Sequence, residues 1–146
     1  MSQFWETNAP ECLPRVVMVP HDFFSPQPSY ISRLPNPPKV YFLRFVLHDW
    51  FEDECVKILK NIRAVIPSAK DGGRLYIAEI LLDKDSDRFK HMVSTHMMNM
   101  TGALERTEGE FRDILRRSGF EIASVHRNKG FISLIEAVAA PSVSKL

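Results

Sequence analysis

Two residues at or within apolar runs could do proton chemistry, His48 in LRFVLHDW and Glu79 in RLYIAEILL, and a further carboxylate, Glu105, lies in the polar stretch ERTEGE. An imidazole titrates near neutral pH, so it can serve as a catalytic base at a strand end. A carboxylate beside it fixes the tautomer and stabilises the imidazolium. Glu79 interrupts an otherwise apolar run. A buried, unpaired carboxylate costs several kcal/mol, on the order of 3 or more, so Glu79 needs a partner or a raised pKa, and His48 is the candidate. Each residue also has a plainer reading. His48 is equally a strand-end histidine without a chemical role, and Glu105 is equally an ion-pair partner of Arg106 or of a helix end. Asp49 reads as a helix N-cap with Glu52 three residues on, and Trp50 as packing. His91 and His96 are five apart, the wrong spacing for one helical face, so no metal is expected.

The elements that must position these groups follow from periodicity. RVVMV (15–19) is a short β-branched strand, and a proline-rich loop covers 25–38. KVYFLRFVL (39–47) is almost continuously apolar, which suits a strand covered on both faces. Residues 52–66 place Ile58, Leu59, Ile62, Val65 and Ile66 on one helical stripe, with acidic residues at the positive end of the helix dipole. A strand is expected over 74–82 and a methionine-rich helix over 88–101. The T-x-x-E spacing of Thr107 and Glu110 predicts a capping box, opening a helix that stops at Gly119. FEIASVHR and FISLIEAVAA close the chain as a hairpin joined near 128–130. This order predicts an α/β sheet, mostly parallel with an antiparallel end. In such sheets ligands bind beyond the C-terminal strand ends, where Asp22, His48 and Glu79 fall.

The bulk properties limit the alternatives. At 146 residues the chain makes one domain, 1–146, with a core over 15–140. A net charge of +1 without a basic run argues against nucleic acid as partner. Cys12 and Cys55 form no metal or redox motif and read as free thiols of a reducing compartment. No signal peptide or membrane-spanning run is visible, so a soluble cytoplasmic protein is expected.

The segments DFFSPQP, YFLRFVLHDWFEDECVKIL, LYIAEILL and GALERTEGEFRDILRRSGF, in this order, resemble the plant- and fungal-type S-adenosylmethionine-dependent O-methyltransferases. The resemblance covers roughly 4–140. It implies that His48 is the general base of methyl transfer to a hydroxyl of a small aromatic or polyketide-type metabolite. It implies that Glu79 and Glu105 flank and orient the histidine. Asp22 and Phe23 are implied at the adenine end of S-adenosylmethionine, with Arg44 also facing that cofactor. The methionines at 92, 97, 98 and 100 resemble the family's substrate-pocket helix; a core stripe is the plainer alternative.

The sequence also departs from the family pattern. Full members carry an N-terminal dimerisation and substrate-binding region, then a first strand with a glycine-rich loop and a second strand ending in an acid. The chain is expected to begin after these, giving a partial Rossmann-like sheet truncated on its N-terminal side, and its six glycines form no G-x-G. The 39–47 strand then becomes an exposed edge inviting a second copy or a complementary chain, unless it pairs with 15–19. The alternative to an enzyme is a non-catalytic remnant or a partner-binding module.

Overall fold

The computed structural model describes residues 7–8, 19–83, 88–101, 105–127 and 130–141. The strand expected at 15–19 lies outside these, apart from Val19. Strand β1 is Val40–Arg44, helix α1 is Glu52–Arg63 and strand β2 is Arg74–Leu82. Helix α2 is Arg88–Thr101, the two-residue strand β3 is Arg106–Thr107, and helix α3 is Glu108–Arg117. Strands β4 (Phe120–Arg127) and β5 (Ile132–Ala139) follow as an antiparallel pair.

Among the described residues the sheet runs β1-β2-β5-β4, with β3 beside the end of β2. Pairing is parallel for β1 with β2 and for β2 with β3, and antiparallel for β2 with β5 and β5 with β4. The sheet is therefore mixed rather than mostly parallel. The last strand folds back and inserts between β2 and β4, so its two long antiparallel ladders outweigh the parallel ones.

Strand β1 departs most from expectation. It is not covered on both faces: burial alternates along it, and Val40 and Phe42 are 56% and 57% exposed. It also stops at Arg44, because Phe45 takes a left-handed backbone with φ 52°, which L side chains rarely adopt. The chain then turns into a 3-10 helix over Leu47–Asp49.

One core holds the layers together. Ile58, Leu59 and Ile62 of α1 and Phe111, Ile114 and Leu115 of α3 pack on Leu75, Ile77 and Leu81 of β2 and on Ile135 and Ala137 of β5. Leu47, fully buried, plants the 3-10 turn in this core. Truncating such a side chain to alanine costs about 2–5 kcal/mol, so the turn is bound to the stability of the whole. Helix α1 ends at Arg63, three residues short of the expected stripe. Its N-cap is Phe51, without a side-chain cap, so Asp49 does not cap it. Arg117 of α3 instead bonds Glu52 and Asp53 in the first turn of α1, at 3.0 and 2.5 Å. The Thr107–Glu110 capping box is present: the Thr107 hydroxyl accepts the Glu110 amide, and the Thr107 amide donates to the Glu110 carboxylate.

Candidate active site

The site forms where β1 turns away from β2. Phe45 still donates its amide to the Ala78 carbonyl (3.2 Å), but the next two amides are taken by a side chain. Oε1 of Glu79, fully buried on β2, accepts N–H from both Val46 and Leu47 at 3.0 Å. This diversion ends the strand and brings His48 back over Glu79. Strand β3 lies in parallel register beside Leu81 and Leu82, which delivers Glu105 to the same place.

Three of the residues named from sequence therefore meet. Nδ1 of His48 lies 3.3 Å from Oε1 of Glu105 and 3.8 Å from Oε2 of Glu79. With Nδ1 facing these two carboxylates, Nε2 lies 3.5 Å from the exposed Asp49 carboxylate. The histidine is 9% exposed. Among the described residues, Oε2 of Glu79 and Oε2 of Glu105 are buried with no hydrogen-bond partner. Burial pushes the Glu79 carboxyl above its ordinary range, against the pull of His48 and the two amides. Burial likewise pushes up Glu105, opposed by His48 and Arg106. The three ligand-type atoms lie within 4.8 Å of one another. That spacing suits a shared proton or imidazolium, and the same atoms are the ones that could hold a small cation.

Of the residues assigned to a cofactor by resemblance, Arg44 and Phe23 reach the His48 turn through aromatic rings, whereas Asp22 bonds within its own loop. The Arg44 guanidinium lies over the Phe45 ring at 5.2 Å, and that ring stacks on His48 at 5.6 Å. Phe23 and Phe24 meet Trp50 edge-on at 5.9 and 4.7 Å, so Trp50 packs as expected. Asn61 of α1 fixes this loop by donating to the Phe23 carbonyl. Asp22, exposed, accepts from the Phe24 amide at 3.0 Å and from the Ser25 hydroxyl at 3.1 Å. These bonds, the backbone one first, hold its carboxyl below the usual range.

Sequence reasoning missed Phe45, Arg106 and the role of Cys55. Arg106 is 3% exposed and donates to the carbonyls of Leu47 and Trp50. Its only signal was its place beside Glu105. The Cys55 thiol lies against the same carbonyls at 3.2 and 3.4 Å, and burial pushes its pKa up to about 11. Met92 and Met98 are 59% and 50% exposed, so they form no core stripe. The side chains of Met97 and Met100 lie outside the described residues. No helix among the described residues is long and apolar enough to cross a membrane.

Comparison with known proteins gives the family of the chain. Residues 8–121 match the O-methyltransferase domain family. The chain is 33% identical to O-methyltransferase tpcA of Aspergillus fumigatus, over 94% of this chain and 31% of that protein. It superposes on the mitomycin 7-O-methyltransferase MmcR with a TM-score of 0.78 at 25% identity, covering 95% of this chain and 38% of that one. Human N-acetylserotonin methyltransferase in complex with SAM gives 0.69 at 27% identity, over 83% and 33%. The chain thus spans about a third of the length of the relatives it matches. With a methyltransferase α/β fold, a matching family domain and plant and fungal relatives along most of its length, this chain belongs to the O-methyltransferase domain family.

Proposed function

We propose that this chain carries the base-bearing part of an S-adenosylmethionine-dependent O-methyltransferase acting on a hydroxyl of a small aromatic or polyketide-type metabolite. The observation that supports this best is the His48 ring, its Nδ1 set against two buried carboxylates and its Nε2 left as the base. A phenol with a pKa of about 10 is barely ionised at neutral pH. Nε2 takes its proton as the oxygen attacks, and the hydrogen bond to Glu105 stabilises the imidazolium that forms. Glu79 adds negative charge on the same side. Bound S-adenosylmethionine supplies the sulfonium methyl group that the oxygen attacks in line.

The residues present fit part of that cofactor. Asp22 is exposed, and its two local bonds leave lone pairs for an exocyclic amino group such as that of adenine. Arg44 is exposed and offers guanidinium donors beside the His48 stack. Phe23 supplies an apolar wall in its cluster with Phe24 and Trp50.

Two measurements test the reading: calorimetric titration with S-adenosylhomocysteine, and transfer of labelled methyl groups to a panel of small phenols. Binding together with transfer is the expected result. Absence of both, for this chain alone and for it mixed with the N-terminal part of a relative, overturns it.

A second reading, a partner-binding module, draws on the exposed Val40 and Phe42 of β1. His48→Ala separates the two, since it lowers the transfer rate about a thousandfold in the first and leaves partner binding unchanged in the second.

A further inference from the structure

We propose that Arg106 is the positioning residue that fixes His48 for proton transfer, by clamping the carbonyl side of the turn whose amide side Glu79 clamps. The inference rests on the reading of His48 as the base, and adds a residue through which that base is aimed.

The turn cannot hold itself. A 3-10 helix of three residues makes few internal bonds of poor geometry, and here the Asp49 and Trp50 amides reach the Val46 and Leu47 carbonyls at 3.3 Å each. Its precision has to come from outside. On the amide side Oε1 of Glu79 holds Val46 and Leu47. On the carbonyl side one guanidinium holds both ends: Nη1 of Arg106 donates to Leu47 O at 2.8 Å, and Nη2 to Trp50 O at 2.5 Å.

The geometry of the two carbonyls explains the choice of residue. The Leu47 carbonyl belongs to the peptide plane that carries the His48 nitrogen, so fixing it fixes where the imidazole starts. The Trp50 carbonyl fixes the exit of the turn. A planar fork with charge-assisted donors meets two acceptors at once, whereas an ammonium is a point donor on a flexible stem. The Cys55 thiol has one weak donor for the same two oxygens, so it cannot replace the fork.

Sequence adjacency sharpens the device. Glu105 orients the ring through Nδ1, and Arg106 orients the backbone beneath it. The parallel register with Leu81 and Leu82 holds this pair on one side, and the Thr107–Glu110 capping box on the other. Ring and backbone are therefore referenced to one rigid segment. Burying a guanidinium is costly unless it is bonded and compensated. The Glu105 carboxylate supplies nearby opposite charge, and the two carbonyls supply the bonds.

The test compares Arg106→Lys with Arg63→Lys. Arg63 also bonds two backbone carbonyls, those of Gly119 and Ala140, far from the turn in sequence. It controls for the plain loss of a structural arginine. The decisive readout is the nitrogen NMR signature of the His48 ring. Wild type and Arg63→Lys are expected to show one tautomer, protonated on Nδ1. Arg106→Lys is expected to show an averaged tautomer population. In a methyl-transfer assay Arg106→Lys lowers kcat roughly a hundredfold with little change in KM, as a small misplacement of a catalytic group does.

Identical His48 signals in wild type and Arg106→Lys overturn the proposal, whatever happens to stability. Should Arg106→Lys not fold, the wild-type protein decides. Two resolved, slowly exchanging Nη resonances on Arg106 support the clamp, and a single fast-averaging one overturns it. If wild type neither binds the cofactor nor transfers a methyl group, alone or mixed with the N-terminal part of a relative, the proposed function fails while the NMR comparison still decides the role of Arg106.

Discussion

Glu79 and Leu47, 32 residues apart, are joined by a 3.0 Å hydrogen bond from the Leu47 amide to Oε1 of the glutamate. The same oxygen takes the Val46 amide, so this carboxylate shapes the backbone first and touches His48 only across 3.8 Å. Glu105 does the reverse, meeting the ring at 3.3 Å. The two glutamates are not equivalent.

That difference predicts opposite phenotypes. Glu79→Ala leaves two inward amides without an acceptor, and an unsatisfied buried donor costs about 1–3 kcal/mol. The expected outcome is a drop in unfolding free energy of that order, with activity lost as the turn relaxes. Glu105→Ala removes one bond to the ring, and stability should change by about 1 kcal/mol or less. Urea unfolding of the two variants checks this. Equal destabilisation by both would mean that Glu79 does not anchor the turn.

The raised carboxyls make stability depend on pH. Burial lifts Glu79 and Glu105 above the ordinary glutamate value of 4.5. For an acid whose pKa is higher folded than unfolded, the native state binds more protons inside that window. The stabilisation is complete below the unfolded value and is lost as pH rises through the folded one. Urea midpoints of the wild type should therefore fall as pH rises from 4.5, and Glu105→Gln should flatten the decline. A wild-type midpoint that rises steadily across this range would contradict the assignment.

Cys55 offers a check on the floor of the site. Its thiol is fully buried, and that burial pushes its pKa up to about 11, which disfavours the thiolate near neutral pH. In a Cys12→Ser background, a thiol reagent at pH 8 should label the native protein only at the rate of unfolding, and promptly in denaturing urea. Fast labelling of the folded protein would show the turn to be open.

The strands and helices were legible where periodicity was strong: β2, α2 and β4 have the predicted bounds, and the capping box of α3 was readable from Thr107 and Glu110. Glu79 called for a partner because it interrupts an apolar run, with His48 as the candidate, whereas Glu105 was set beside them by the family resemblance alone. The end of β1 was not legible. Val46 and Leu47 have the apolar character of strand residues, and only the distant Glu79 diverts their amides out of the ladder. For the same reason Arg106 looked like an ion-pair partner of Glu105, since nothing local in the sequence marks a side chain that bonds carbonyls 56 and 59 residues away.

The central claim is that His48 is the base, and the most direct measurement is methyl transfer by wild type and His48→Ala as a function of pH. The account predicts a wild-type rate that rises with pH as one imidazole loses its proton. His48→Ala should lose that limb and about a thousandfold in rate, within the range typical of a general base. Equal rates and the same pH profile in both proteins would contradict it.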